Sequence, residues 1–308
     1  MVKASVAIMG FALAAGWNGL NYSPAKRFVY SQVHMGVKVD ITLYAESDAQ
    51  AERAATAAFD RFEELDQIFS DYRRSSELNA LIAHAGQGPQ RVSPDMYRVL
   101  QRAAEVSRLS GGTFDVTAKP LIDLWRTSRK TGELPFHSEV VAAKKLVGWQ
   151  NVVLGDGTAN LTVAGMKLDM GGIAKGYACD AALEQLSKFG VRSALVEAGG
   201  DLAASGPPPG TSGWVVSVRN WKTNIVLKNG AISTSGDTEQ WVDIGGRRFS
   251  HIVDPRTGYG LTSQIQVTIQ ARYGFVSDPV SKAISILPES KWGPILDHFG
   301  AKATKIKD

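Results

Sequence analysis

Residues 168–177 read Leu168-Asp169-Met170-Gly171-Gly172-Ile173-Ala174-Lys175-Gly176-Tyr177, the most informative stretch of this chain. The pattern predicts a strand that delivers a carboxylate, two glycines that let a ligand approach the backbone, and a helix that begins with free amides and a lysine. A phosphate group suits such a turn. A plain strand-to-helix joint with a solvated lysine has the same pattern, so this stretch alone leaves both interpretations open.

The segments around this turn predict both strands and helices. Apolar and polar residues alternate over 36–43, which indicates a strand with one buried face. Apolar residues spaced three and four apart over 50–69 predict a helix. Ser93-Pro94-Asp95 has the residues of a helix start, and that second helix is expected to end at 110–112. Directly after the turn, we expect a helix over 173–189.

The second half of the chain predicts short strands followed by helices. The expected strands cover residues 152–154, 161–168, 194–196, 214–218, 231–234, 240–244, 247–252 and 263–269, and the expected helices cover 276–287 and 291–299. A polar surface excursion is expected over 127–145, with a short helix beginning near Ser138, and a lysine-rich tail is expected at the end. Strands and helices come in runs without strict alternation, so the sequence predicts an α+β fold. It contains no internal repeat.

Composition narrows the class of protein. The chain has 308 residues, of which 44% are hydrophobic and 21% charged, as in an ordinary globular protein. Its formal charge of +4 weakly favours acidic or phosphate-bearing partners. No dense run of lysine and arginine is present, so nucleic acid is not an expected partner.

The first residues predict export. Met1-Val2-Lys3 precedes an apolar stretch that ends at Ala15, and we expect a signal peptide over 1–22. A buried or disordered N-terminal helix is the alternative. Cys179 is the only cysteine of the sequence and lies far downstream, so we expect neither a lipoprotein nor an intrachain disulfide. The mature protein, residues 23–308, is expected to be soluble and periplasmic.

Two further segments carry groups suited to catalysis. Ser233-Thr234-Ser235-Gly236-Asp237 ends a predicted strand with three hydroxyls and a carboxylate, and residues 251–258 follow after a short hairpin. His251 and these carboxylates are therefore expected to share one sheet edge. His251 is either a general base or a buried structural histidine, and only its position relative to a proton distinguishes the two roles.

Taken in order, six motifs resemble the ApbE-type FAD:protein FMN transferases over about residues 33–300. They are Tyr72 to Leu78, Gly112 to Thr117 with 120–125, Asp169 to Tyr177, Gly199-Gly200-Asp201, Thr234 to Asp237 and His251 to Gly258. The Asp-x-Gly-Gly-Ile-Ala-Lys-Gly and His-x-x-Asp-Pro-x-Thr-Gly motifs are the most specific of them.

The resemblance implies a T-fold-like enzyme of two intimately packed halves that binds FAD between them and uses Mg²⁺. Positions that match flavin-contacting residues are Met35, Tyr72, Thr113, Phe114, Asp115, Asp169, Lys175 and Ile252. The metal-binding positions match the backbone carbonyl near Gly172 and the side chains of Asp278 and Ser281. His251 matches the residue that activates the acceptor hydroxyl, and Asp237 is the second catalytic candidate.

One departure from the family pattern concerns the metal. Asp278-Pro279-Val280-Ser281-Lys282 has a lysine where the family has a metal-binding threonine, and an ammonium group cannot ligate a cation. Either Asp278 and Ser281 hold a weakened Mg²⁺ while Lys282 turns to solvent, the interpretation that we favour, or Lys282 supplies positive charge to the pyrophosphate itself. Smaller departures, at Val37, Val116 and Arg126-Thr127, are expected to leave the chemistry untouched.

The function that the resemblance implies is transfer of the FMN half of FAD to a threonine or serine hydroxyl of an acceptor protein, with release of AMP. The expected acceptor is a membrane-associated or exported redox protein. Two alternatives stay open. One is a periplasmic protein that binds FAD without transferring FMN, and the other is a metal-dependent pyrophosphatase that splits FAD into FMN and AMP.

Overall fold

The computed structural model describes residues 25–218, 224–236, 241–263 and 265–307. The predicted signal peptide and Asp237 lie outside these residues. The strands are β1 (Lys26–His34), β2 (Val37–Ala45), β3 (Gln90–Arg91), β4 (Val152–Gly155), β5 (Thr158–Leu161), β6 (Ser193–Ala198), β7 (Asp201–Ala204), β8 (Trp214–Val216), β9 (Ile225–Leu227), β10 (Gly230–Gly236), β11 (Trp241–Ile244), β12 (Arg247–Ser250), β13 (Val253–Asp254), β14 (Tyr259–Gly260), β15 (Ile265–Ala271) and β16 (Lys302–Lys307). The helices are α1 (Asp48–Phe69), α2 (Glu77–Ala83), α3 (Pro94–Leu109), α4 (Lys119–Thr131), α5 (His137–Lys144), α6 (Ala174–Lys188), α7 (Gly274–Ile286) and α8 (Gly293–Phe299).

A seven-stranded sheet forms the centre of the fold, in the order β1-β2-β6-β7-β10-β15-β16. Every neighbouring pair in it is antiparallel. Helices α1, α6 and α7 pack against one face of the sheet. This arrangement of an antiparallel sheet with packed helices confirms the α+β prediction.

The first predicted helix is confirmed, and its spacing explains why it forms. Ser47 caps the helix by accepting a hydrogen bond from the Gln50 amide, as cap serines commonly do. The side chains that the periodicity assigned to one stripe are all buried in the main core, namely Ala54, Ala58, Phe62, Leu65 and Phe69. Burial of one apolar stripe therefore fixes α1 against the sheet.

Two smaller apolar clusters flank the main core. The first lies under the β8–β9 hairpin, where Trp214 and Ile225 pack with Ile232 of the central sheet. The second joins α4 and α5 to β12 and β13 through Leu121, Trp125 and Phe249. The candidate site lies between this second cluster and the main core.

Three sequence predictions need correction. The strand expected over 161–168 is absent from these residues, because β5 ends at Leu161 and the chain turns at Gly165 with φ of 82°. Met166 and Leu168 are buried by irregular backbone instead. The excursion expected from Thr127 begins only at Gly132, because α4 continues to Thr131. The lysine-rich tail is the outer strand β16.

No helix among the described residues is long and apolar enough to span a bilayer.

Candidate active site

Two adjoining cavities lie where the predicted motifs meet. We call the first, of about 340 Å³, the aromatic cavity; its lining includes Tyr72, Phe114 and Ile252. The second, of about 480 Å³, we call the lysine cavity; its lining includes Lys175 and Asp201. Residues that line both cavities are Gly171, Ser235, His251 and Lys282. The pair offers room for a flat ring system in one compartment and for charged groups in the next.

The turn at 169–176 is built as a polar cradle. Asp169 Oδ1 accepts a hydrogen bond of 2.8 Å from the Gly171 amide, which closes the turn. Lys175 Nζ donates to the Gly171 carbonyl at 2.9 Å and lies 3.1 Å from Asp201 Oδ2. Burial alone would lower the pKa of Lys175, but the carboxylates of Asp201 and Asp278 outweigh it and raise the pKa above its usual value. Lys175 is therefore a permanent cation.

Gly172 leaves little space for a side chain. A Cβ at this position would lie 3.2 Å from Phe114 Cε2 and 3.7 Å from Lys282 Cδ. The glycine thus lets an aromatic ring and a lysine stem approach the same turn from two sides.

Asp278, on α7, reaches the start of α6. It is fully buried, and its Oδ2 accepts a hydrogen bond of 3.1 Å from the Gly176 amide, in the first turn of that helix. Its Oδ1 is paired with the Lys282 ammonium. Burial alone would raise the pKa of Asp278, but the ammonium groups of Lys175 and Lys282 hold it below its ordinary value. Asp278 is therefore an ionised carboxylate at neutral pH.

A tight turn positions His251. In the motif at 251–258, Asp254 accepts hydrogen bonds from the backbone amide and side chain of Arg256, while Trp125 Nε1 donates to the Gly258 carbonyl at 2.9 Å. A Cβ at Gly258 would lie 2.6 Å from Val140 Cγ1. These contacts dock the turn on α4 and α5, and His251 lines both cavities.

The predicted residues 113–115 line the aromatic cavity, but their polar groups face the protein. Thr113 Oγ1 donates to the Ala283 carbonyl at 2.9 Å. The Asp115 carboxylate accepts hydrogen bonds from Thr117 and from the Trp149 amide. Burial raises the pKa of Asp115 in spite of these bonds. Both side chains therefore shape the cavity wall.

Arg126 is a site residue that the sequence interpretation missed. Its Nη2 lies 3.0 Å from Asp169 Oδ2, its Nη1 lies 3.2 Å from Asp71, and its guanidinium lies 5.9 Å from the centre of the exposed Tyr72 ring. Arg126 also lines the aromatic cavity. Arg126 was expected to leave the chemistry untouched, and the structure places it in the wall of the aromatic cavity, in contact with Asp169. No residue-level signal at 126 pointed to this contact, because Asp169 is 43 positions away.

Most of the other residues that were predicted to form the site line one of the two cavities. Tyr72, Thr113, Phe114, Asp115, Asp169, Gly172, His251 and Ile252 line the aromatic cavity, and Lys175 lines the lysine cavity. Met35 lies instead at the β1–β2 turn, with φ of 51°, and packs against the main core. Asp201 belongs to the recognised Gly199-Gly200-Asp201 motif but was assigned no role. In the structure it is the ion-pair partner of Lys175.

The side chains near Asp278 do not fit a divalent cation. Both Asp278 oxygens already accept from protein donors, and the buried Ser281 hydroxyl donates to the Asp278 backbone carbonyl at 2.7 Å. Lys282 presents an ammonium where an oxygen ligand is required, and Mg²⁺ binds through octahedral oxygen ligands. Among the residues described, no group of three or more histidine, cysteine, aspartate or glutamate side chains is placed to hold a metal. Lys282 also does not turn to solvent, contrary to our expectation.

The profile of the ApbE family matches residues 35–304, which include both cavities. The chain belongs to the ApbE family. Among its ApbE relatives, the FAD:protein FMN transferase of Rhodobacter capsulatus is 29% identical over 96% of this chain, which spans 58% of that relative's length. The FAD:protein FMN transferase of Vibrio cholerae is 26% identical over 93% of this chain and 88% of its own length.

A solved ApbE structure has the same fold. The flavin transferase ApbE from Vibrio cholerae superimposes with a TM-score of 0.84 at 25% identity, covering 92% of this chain and 94% of the other. The resemblance read from the motifs is thereby confirmed for family and fold.

Proposed function

We propose that this protein transfers the FMN half of FAD to a threonine or serine hydroxyl of an acceptor protein. The observation that carries the proposal is that His251 lines both the aromatic and the lysine cavity, in a chain matched by the ApbE family over 35–304. The relatives are named for this reaction. FAD, which joins a flat flavin to a pyrophosphate, suits two such compartments.

In the proposed reaction, the acceptor oxygen attacks the phosphorus on the FMN side of the pyrophosphate. A new phosphoester bond forms, the bond between that phosphorus and the bridging oxygen breaks, and AMP leaves with that oxygen. His251 accepts the proton from the acceptor hydroxyl. Phosphoryl-type transfer depends mainly on positioning and charge neutralisation, which Lys175 and the turn amides supply.

The proposed roles of the other residues follow their positions. Phe114 and Tyr72 provide apolar surfaces for a ring. Asp169 closes the turn that brings Gly171 and Lys175 to the lysine cavity, where the pyrophosphate would lie. Asp237 is retained as a catalytic candidate from the sequence alone. Mg²⁺ is implied by the resemblance, but the donor groups around Asp278 do not fit it, so we derive no step through a metal.

We further propose export to the periplasm, on the strength of the apolar segment that ends at Ala15. An exported enzyme of this type would act on a membrane-associated or exported redox protein. Determining the N-terminal residue of the protein recovered from the periplasm tests this part, and we expect it between Ala15 and Ser23. Recovery of an intact Met1 there would contradict it.

The decisive experiment is incubation of the purified protein with FAD and an extract of exported proteins from the native host. Transfer predicts an acceptor band with covalent flavin fluorescence and one AMP released per flavin attached. Release of FMN and AMP without an attached flavin would instead identify a pyrophosphatase. Bound but intact FAD would identify a flavin-binding protein.

A further inference from the structure

Lys282 lies at the junction of the two cavities. It lines both of them, and its stem passes within van der Waals distance of the Gly172 position. Its side chain is 25% exposed and lines the cavities while its ammonium is held on Asp278. Lys282 therefore borders the space in which the pyrophosphate of FAD would lie.

The pairing of Lys282 with Asp278 is strongly constrained. Asp278 is fully buried and receives the Gly176 amide on its other oxygen. The two paired residues are separated by one helical turn of α7, a spacing that places side chains on the same face. Removing either partner would leave an uncompensated charge, so the pair is expected to persist when substrate binds.

The formal charges of four side chains show how Lys282 changes the net charge of this site. Lys175 is paired with Asp201, and Lys282 is paired with Asp278, so two cations and two anions cancel. Without Lys282, the same group would carry one net negative charge and would attract a cation. With Lys282, no net negative charge remains to attract a dication, and an entering pyrophosphate meets two ammonium groups.

We propose that the Lys282 ammonium takes the place of the divalent cation, so that this protein binds the pyrophosphate of FAD, and transfers FMN from it, without a metal. The claim about FMN transfer rests on the proposed function, whereas the claim about metal-free FAD binding does not. In the reaction, Lys282 neutralises charge on the pyrophosphate oxygens and stays protonated, while bonds form and break as described above.

The first test measures FAD affinity by calorimetry in EDTA and in millimolar MgCl₂. We expect the two dissociation constants of the unaltered protein to agree within about twofold, and we expect MgCl₂ or MnCl₂ titrated into the protein with FAD to show no stoichiometric binding. An affinity at least about tenfold weaker in EDTA, or stoichiometric Mn²⁺ seen by electron paramagnetic resonance, would overturn the proposal.

Two substitutions of Lys282 test the contribution of its positive charge. Lys282→Met removes the charge and is expected to weaken FAD binding by about tenfold in EDTA, with less recovery in MgCl₂ than Lys282→Thr because methionine supplies no oxygen ligand. Lys282→Thr supplies an oxygen and is expected to regain FAD affinity only when MgCl₂ is added. Lys188→Met, at an exposed position of α6 outside both cavities, is the matched control and should change nothing. If Lys282→Met binds FAD like the unaltered protein, the proposal is wrong.

Transfer assays distinguish this inference from the proposed function. Equal transfer in EDTA and in MgCl₂ supports both. Transfer that requires MgCl₂ overturns the ammonium role and leaves the proposed function standing. Metal-independent FAD binding with no transfer under any condition overturns the proposed function and leaves Lys282 as a pyrophosphate-binding residue. If the variants do not fold, as judged by circular dichroism, the EDTA comparison on the unaltered protein still decides.

Discussion

Arg126 donates from Nη2 to Asp169 Oδ2 across 3.0 Å, which connects α4 to the turn that forms the phosphate cradle. Asp169 is largely buried, and this burial raises its pKa, although the Gly171 amide and Arg126 both act in the opposite direction. The guanidinium thus helps to keep this carboxylate ionised.

We expect Arg126→Ala to weaken FAD binding by about tenfold, because Asp169 loses its charged partner and Tyr72 loses its neighbouring guanidinium. Calorimetry with FAD measures the change. Arg53→Ala, at an exposed position of α1, serves as the control and should bind FAD normally. An unchanged affinity in Arg126→Ala would show that the ion pair is not part of the flavin site.

His251→Ala is expected to keep FAD affinity near normal and to lower the transfer rate by about 10² or more, the usual contribution of a positioned base. Flavin attachment to the acceptor, followed by in-gel fluorescence, measures the rate. His298→Ala is the control, because His298 pairs with Glu105 outside both cavities. A variant that melts early and binds FAD poorly would instead identify His251 as structural.

The two cavities predict a preference for FAD over FMN, because only the dinucleotide has a pyrophosphate for the lysine cavity. Asp169→Ala should weaken FAD binding through loss of the turn that Asp169 closes with Gly171. Titration of both flavins into the same protein sample gives the ratio of affinities. Equal dissociation constants for FAD and FMN would count against the proposed function.

Asp180 predicts how stability depends on pH. Burial raises its pKa from 3.8 to about 7, although the Gly274 and Phe275 amides donate to it. The folded protein therefore binds more protons than the unfolded chain between about pH 4 and 7, so this contribution to stability is lost as the pH rises through that range. Asp180→Asn should flatten the fall in urea midpoint between pH 5 and 8. Asp60→Asn, exposed on α1, should reproduce the parent profile.

Gly176→Ala tests the contact between α6 and α7. A Cβ at Gly176 would lie 2.1 Å from the Gly274 carbonyl oxygen, so the helices must separate. We expect a loss of about 2–3 kcal/mol in the free energy of unfolding, together with weaker FAD binding as Asp278 shifts. Gly293→Ala meets no atom within 4 Å and should change stability by less than about 0.5 kcal/mol. Equal midpoints in urea for both variants would contradict this packing.

The elements that were predicted well are those whose secondary structure follows from residues close together in the sequence. α1 has both a serine cap and a five-residue apolar stripe, and the structure places it where the spacing indicated. β16 failed because lysines at 302, 305 and 307 obscure the alternation of a strand. Lysines are common on edge strands, where they discourage pairing with other chains, so the same residues that hid the strand suit its position.

The candidate site was predictable only as a set of motifs. The sequence order placed Asp169, Lys175 and His251 in recognisable patterns, and the structure brings them to adjoining cavities. The pairing partners were not predictable, because ion pairs such as Lys175 with Asp201, or Arg126 with Asp169, join separate segments that only the folded sheet and helices bring together. The inward direction of Lys282 likewise depends on α7 packing against α6.

The outermost strand β16 pairs with β15 along its whole length, from Gln270 with Lys302 to Ile265 with Lys307. Ribosomes make proteins from the amino terminus, so the central sheet stays without this edge until residue 307 has been synthesised. The central sheet can therefore be completed only at the end of synthesis. Under the proposed export, a translocation machine that engages residues 1–22 as they emerge would handle a polypeptide that cannot yet complete its central sheet.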